Sequence, residues 1–416
     1  MKLVLAIYFF ALYFSQRKVS RVRAFLFFML SASCFLNLLI ADDVTFESLS
    51  SLFALFCVGI FFTVLIFCLF PNLRVRDDFA NITLGKLSVS KLVLLGCIPV
   101  VIINLYIIYN SYLFIMAGDM SMTSFKNEGH ATTLVSSMFP SFVTPFIRLF
   151  SLLGWFCMVL LVINIIKRKY YLSLLSFIGT LNIPLLGLIG FSRSGIIYYV
   201  FSIFILWLTF EKDMEPVFAR MMKRIFMVLF GFILAMFYYI TYQRFSNYDY
   251  WWIYEQSGSN VDIVLFSVIY YFTSWIDNTI YLLNEVAPPL LGQFTGYFSL
   301  PYHIVNIVGV ETASKGDVWA SYFNEYSTLF VGLFLDTLFD MGVFGMLFFL
   351  VGLVIFRVVQ KSTRIDFSTQ VLQTIFVSQY FALFFAGNIF SYFFFSAALV
   401  ICFVLLKLCK TKYFKI

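Results

Sequence analysis

Gly190-Phe191-Ser192-Arg193-Ser194-Gly195 is a short polar turn set between two apolar runs, residues 170–189 and 196–210. Each run approaches the roughly 20 residues that a helix needs to cross a bilayer. The turn therefore falls at a membrane surface, and the two runs form a helical hairpin through the membrane. Ser192 and Ser194 are placed to cap the second helix by accepting from its free N–H groups. The start of that helix carries the positive pole of the macrodipole and favours anions. Arg193 beside it makes a candidate phosphate seat, and equally reads as a turn arginine that snorkels to lipid headgroups.

The whole chain repeats this pattern. Of its 416 residues, 62% are hydrophobic and only 12% are charged, about half the charge that soluble domains carry. Too little polar surface exists to cover a water-soluble fold, so the sequence reads as an all-α polytopic membrane protein. About eleven spans are expected, near 3–16, 24–40, 51–70, 92–116, 146–166, 170–190, 195–210, 224–241, 341–357, 367–386 and 389–407. The start, Met1 to Phe14, lacks a basic leader and a small-residue cleavage site, and reads as a retained first span. Residues 1–416 form a single integral membrane domain on this reading. The seven cysteines fall in expected spans or at the C-terminus, and no CxxC or Cys/His spacing suggests a metal site.

Lys and Arg set the orientation. All but six of the 28 basic residues fall on alternate connections, the exceptions being Lys2, Lys126, Arg148, Arg193, Arg244 and Lys315. That asymmetry places the N-terminus outside, the C-terminus in the cytoplasm and the Ser192–Gly195 turn outside. The +7 formal charge thus follows loop sidedness and carries no implication of nucleic-acid binding. The external connections are near 41–50, 117–145, 191–194, 242–340 and 387–388, the fourth being by far the longest. Residues 261–276 within it are apolar enough for a span. Making them one would send residues 284–324 to the cytoplasm with Lys315 as their sole basic residue. Amphipathic or re-entrant helices at the outer surface are expected there instead, with Asp262 and Asp277 turned to water or protein.

No cytoplasmic loop is long enough for a nucleotide-binding domain, and Walker, dinucleotide, HExxH and GxSxG motifs are absent from the sequence. Catalysis would use a pre-activated, lipid-carried substrate on the outer face. Arg148, Arg193 and Arg244 lie there near helix ends, and a guanidinium binds phosphate oxygens bidentately. Candidate general bases in the large loop are Asp277, Glu285, His303, Glu311, Asp317, Glu325, Asp336 and Asp340, each of which also reads as an ordinary loop charge. Asp336 and Asp340 stand four apart on an expected helix and share a face. Gly342 and Gly345 follow them and read as packing glycines.

Phe191-Ser192-Arg193-Ser194-Gly195, the large late loop, and the run Asn324-Glu325-Tyr326-Ser327-Thr328…Phe339-Asp340-Met341-Gly342-Val343-Phe344-Gly345 together resemble the Wzy-type repeat-unit polymerases of O-antigen and capsular polysaccharide. Members of that family often read Asn…Thr…Asp-Phe-Gly…Gly at the last run; this chain has Met341 in place of the aromatic. The resemblance implies a glycosyltransferase of the bacterial cytoplasmic membrane, acting on its outer face without metal or other cofactor. Its substrate would be undecaprenyl-diphosphate-linked oligosaccharide, its medium the lipid bilayer, and its partners a chain-length regulator and a flippase. On that basis Asp277, Glu285, His303 and Asp340 compete as the base. Arg193, Arg244 and Arg148, with Ser192 and Ser194, would hold the diphosphate. An O-antigen ligase is disfavoured because Asn324 has no adjacent His. A transporter or flippase is disfavoured by the large loop and the charge-poor spans.

Overall fold

The computed structural model describes residues 2–40, 49–70, 83–84, 87–117, 134–135, 137–140, 142–189, 194–245, 254, 261–285, 332–362, 369–375, 378 and 400–406. Within these the chain is helical apart from one antiparallel pairing of two residues each, Thr83–Leu84 with Leu87–Ser88. The helices are α1 (Lys2–Gln16), α2 (Arg21–Asn37), α3 (Leu49–Leu69), α4 (Val89–Ala117), α5 (Val143–Leu152), α6 (Gly154–Ile166) and α7 (Tyr170–Thr180). They continue as α8 (Asn182–Ile189), α9 (Ser194–Phe210), α10 (Pro216–Phe245), α11 (Ile263–Glu285) and α12 (Gly332–Ser362). Among the described residues four stretches are long and apolar enough to cross a membrane: Val89–Ala117, Val143–Ile166, Tyr170–Ile189 and Met341–Val359. Phe344, Leu347, Phe348, Val351 and Ile355 are all exposed on the last of these. A contiguous apolar face of that size belongs against lipid or another protein rather than water.

The chain divides into two compact units. The first contains α1–α3, most of α10, α11 and α12. Ser20 caps α2 by accepting from the Arg23 N–H, and α1 packs back along α2. Phe9, Phe27 and Phe62 meet between α1, α2 and α3, with ring centroids 6.4 and 6.3 Å apart. Ser31 donates to the Ala6 carbonyl at 2.9 Å. Arg23 is buried, and among the described residues its side-chain partners are carbonyls and Gln16. Its Nε donates to the Phe70 carbonyl at 2.7 Å and its guanidinium lies 4.9 Å from the centre of the Phe67 ring. The cation thereby satisfies backbone at the C-terminal end of α3, where helix carbonyls lack donors and the dipole is negative.

In the same unit α11 packs against α2, α3 and α12. Asp262 caps it, its Oδ1 accepting from the N–H groups of Val264 and Leu265 at 3.0 and 3.2 Å. Thr273, Ser274, Trp275 and Ile276 are buried, and Phe266 and Ile269 cluster with Ile40. Of the expected amphipathic or re-entrant helices, α11 packs along one side, with Asp262 exposed and Asp277 turned to protein. Its apolar residues recur on the side that meets α2 and α3, and Trp275 stacks edge-on to Phe62 at 5.6 Å.

The second unit contains α4–α9. The stretches Val143–Ile166 and Tyr170–Ile189 each run on through one residue, Leu153 and Leu181, that keeps right-handed helical φ and ψ, with backbone bonds on both sides. Both positions lie near α4 at small and polar residues. A Cβ on Gly96 would fall 2.0 Å from the Phe150 ring, and one on Gly179 would fall 2.7 Å from the Cys157 sulfur. Such close approach is what small residues permit between apolar helices. Asn104 Nδ2 donates to Ser151 Oγ at 3.1 Å and to Asn182 Oδ1 at 3.0 Å, while Asn182 Nδ2 donates to the Cys97 carbonyl at 2.8 Å. Asn104, Ser151 and Asn182 are all buried. The amides tie three helix stretches at one level. Two residues from Cys97, Pro99 has already removed one N–H from the α4 ladder.

Candidate functional site

Three helices of the first unit converge on Asp277. Its Oδ1 lies 2.7 Å from Lys2 Nζ and its Oδ2 accepts from Asn37 Nδ2 at 2.7 Å. Lys2 stands at the start of α1, Asn37 at the end of α2, and Asp277 in the third turn from the end of α11. One turn back on α11, Thr273 Oγ1 lies 3.2 Å from Asn37 Nδ2. Trp275 Nε1 donates to Ser33 Oγ at 3.1 Å, and Ser33 donates to the Phe272 carbonyl at 3.0 Å. The polar residues therefore form a continuous seam along the α2–α11 contact.

Lys2 retains only 1% of its side-chain exposure, whereas Asp277 keeps 32%. An ammonium that deep needs a carboxylate partner, because an isolated buried charge costs far more than a paired one. Both carboxylate oxygens of Asp277 already accept a strong bond, and each keeps a further lone pair for a third donor. The exposed edge can thus receive a hydroxyl or amide from outside while Lys2 and Asn37 fix the carboxylate plane. Asn37 Oδ1 is buried and has no hydrogen-bond partner among the described residues. Chemically the group is a rigid, oriented acceptor.

Asp277 is the one candidate base with a described side chain. Glu285 closes α11, Asp340 lies within α12, Arg244 lies in the last turn of α10 and Ser194 opens α9; their side chains lie outside the description. Ser192, Arg193 and His303 lie outside the described residues altogether. Arg148 is exposed on α5 in the second unit. Glu311, Asp317 and Glu325 also fall outside the described residues, and Asp336 is placed on α12 by backbone alone. Among the described residues no group of three or more His, Cys, Asp or Glu could hold a metal ion.

Gly342 was expected to serve packing. It adopts φ 69° and ψ 176°, a break inside α12, in a region that is essentially glycine-only. Asp340 stands two residues before this break. The need for glycine there is conformational first, and Gly345 supplies the close contact, since its Cβ would fall 2.8 Å from the Met341 Cβ. Sequence reading missed Lys2 and Asn37 as partners of Asp277. The available signal was that Lys2 is one of the six basic residues that depart from the alternation of basic connections.

Fold and site together define a helical protein with membrane-length apolar helices and a fixed carboxylate at a three-helix junction. The chain matches no protein-family model, no curated protein and no solved structure.

Proposed function

We propose that this chain is a glycosyltransferase of the bacterial cytoplasmic membrane. On this reading it joins undecaprenyl-diphosphate-linked oligosaccharide repeats into O-antigen or capsular polysaccharide on the outer face. The proposal includes eleven spans, an external N-terminus and a cytoplasmic C-terminus. The observation that carries it is the Phe191–Gly195 turn. In the sequence Ser192 and Arg193 immediately precede Ser194, the first residue of α9, on a connection that the distribution of Lys and Arg assigns to the cation-poor side. The helix break at Gly342, inside the Asp340–Gly345 run, supports the same reading.

In this scheme an acceptor sugar hydroxyl attacks the anomeric carbon of the donor glycan. The bond from that carbon to the diphosphate oxygen breaks, undecaprenyl diphosphate leaves with the bonding pair, and the hydroxyl proton passes to a carboxylate or imidazole. Asp277, Glu285, His303 and Asp340 are the candidates for that base. Charge developing on the diphosphate requires fixed cations, which Arg193 and Arg244, with Arg148, supply without a metal. Replacing Arg193 or Arg244 by Ala should leave an inserted protein and reduce polymer by about 10²–10³-fold. Lysine should restore part of it, because a point charge replaces a bidentate fork. Single lipid-linked repeats should accumulate on the outer face. Normal polymer at normal protein levels in both alanine variants would overturn the assignment.

A second reading, transport of lipid-linked oligosaccharide, draws on the buried polar side chains Asn104, Ser151 and Asn182, which bond one another between α4, α5 and α8; polar groups inside spanning helices often mark a substrate path. Accumulation of repeats on the cytoplasmic face after deletion of the chain would select this reading.

A further inference from the structure

The second unit carries a pocket that the proposed transferase reaction does not use. It is a small, partly open recess of about 30 Å³ between the start of α4, the end of α6 and the start of α7. Lys91, Lys167 and Lys169 line it with Ser90 and Asn164, and the buried Leu94, Leu160 and Ile163 and the half-buried Leu172 complete the lining. No carboxylate lies in this lining among the described residues. We propose that this pocket binds a phosphate ester, and that its occupant is the phosphate headgroup of an anionic phospholipid.

Three features build the site. The connection from α6 to α7 is a Schellman turn: the Lys169 N–H donates to the Asn164 carbonyl at 2.9 Å and the Arg168 N–H to the Ile165 carbonyl at 3.0 Å. That motif requires a left-handed residue, usually glycine, and here Arg168 occupies it with φ 57°. The turn brings Lys167 and Lys169, on either side of Arg168, to the same pocket. Opposite them α4 begins, with Ser88 accepting from the Lys91 N–H at 3.3 Å and hydrogen-bonded to Ser90 at 3.1 Å. The positive end of the 29-residue α4 thus adds to the lysine charge. Asn164 is fixed from behind, its Nδ2 donating to Ser176 at 3.1 Å.

The mixed lining favours lipid over free anion. Three lysines beside four leucine and isoleucine side chains match a phosphate attached to glycerol and acyl carbons, and basic pockets between transmembrane helices bind anionic headgroups. The inference does not depend on the transferase reading and holds equally for a transporter.

The full-length protein, purified in detergent and delipidated, should be titrated with short-chain phosphatidylglycerol, phosphatidylcholine and inorganic phosphate, with binding read by native mass spectrometry. Phosphatidylglycerol should bind more tightly than phosphatidylcholine. Each of Lys91→Ala, Lys167→Ala and Lys169→Ala should weaken it about fivefold, and Lys212→Ala, a lysine of the same unit outside the pocket, should not. Saturation by inorganic phosphate at matching concentration, lost in the same variants, would keep the phosphate site but overturn the lipid as its occupant. Equal binding of the two lipids, or an equal loss in Lys212→Ala, would overturn the site. Should a lysine variant fail to fold, Lys→Gln at the same position, checked by elution as a single species, provides the comparison.

Discussion

At the scale of single residues, the Lys2–Asp277 pair is where charge and burial conflict most sharply. Removing the carboxylate strands an ammonium that keeps 1% exposure, and breaking a hydrogen-bonded charged contact costs about 1–3 kcal/mol. Asp277→Asn should therefore lower thermal stability, followed by reaction of the buried Cys34 thiol with a maleimide dye as the protein unfolds. Lys2→Met with Asp277→Asn should recover part of the loss, since an uncharged pair leaves no stranded ion. Additive losses in the double variant would show that the two residues act separately. Gly342 presents a backbone conflict of the same size. At φ 69° and ψ 176° an alanine is strained by about 1–3 kcal/mol. Gly352→Ala, ten residues on in α12 with nothing within 4 Å of the added carbon, should be neutral or stabilising by about 0.5–1 kcal/mol. Equal melting temperatures for the two alanine variants would contradict the assigned break.

At the scale of helices, apolar surroundings make polar side chains the specific part of the packing. Asn182 donates to the Cys97 and Gly179 carbonyls and accepts from Asn104, whereas Asn104 Oδ1 is buried with no partner. Asn182→Leu should thus cost about 1–3 kcal/mol and Asn104→Leu distinctly less, read as the difference in melting temperature in one detergent. Melting temperatures unchanged in both variants would mean that the amides do not tie α4 to α7–α8. Helices of this kind were largely visible in the sequence. Hydropathy alone located α1 to α3, and the polar turn at Phe191–Gly195 located the start of α9 to within one residue. The 224–241 reading of α10 was too short because hydropathy ignores its first turns, where Pro216 sits favourably at a helix start and Arg220, Lys223 and Arg224 face outward. The partners of Asp277 were not visible. Asn37 lies 240 positions away, and only the fold of α2 against α11 brings the two together.

At the scale of the whole molecule, sidedness is the property on which the proposed chemistry depends. The alternation of basic and basic-poor connections is a statement about insertion energetics, since Lys and Arg resist passage to the outer face. The alternation is counted over 28 basic residues. On the proposed orientation Arg193 and His303 face outward; both lie outside the described residues. Topology gives the direct test. Ser257 lies in the long 242–340 connection, expected outside, and the described native cysteines are buried except for the half-buried Cys57. A cysteine at Ser257, in a chain carrying Cys57→Ser, should react with a membrane-impermeant maleimide in intact spheroplasts. A cysteine at Ser362, at the end of α12 beside Lys361 and Arg364, should react only after lysis. Reversal of that pattern would place Arg193 and the large loop in the cytoplasm. The lipid-linked donor would then face the wrong side, and the transferase mechanism would fail with it.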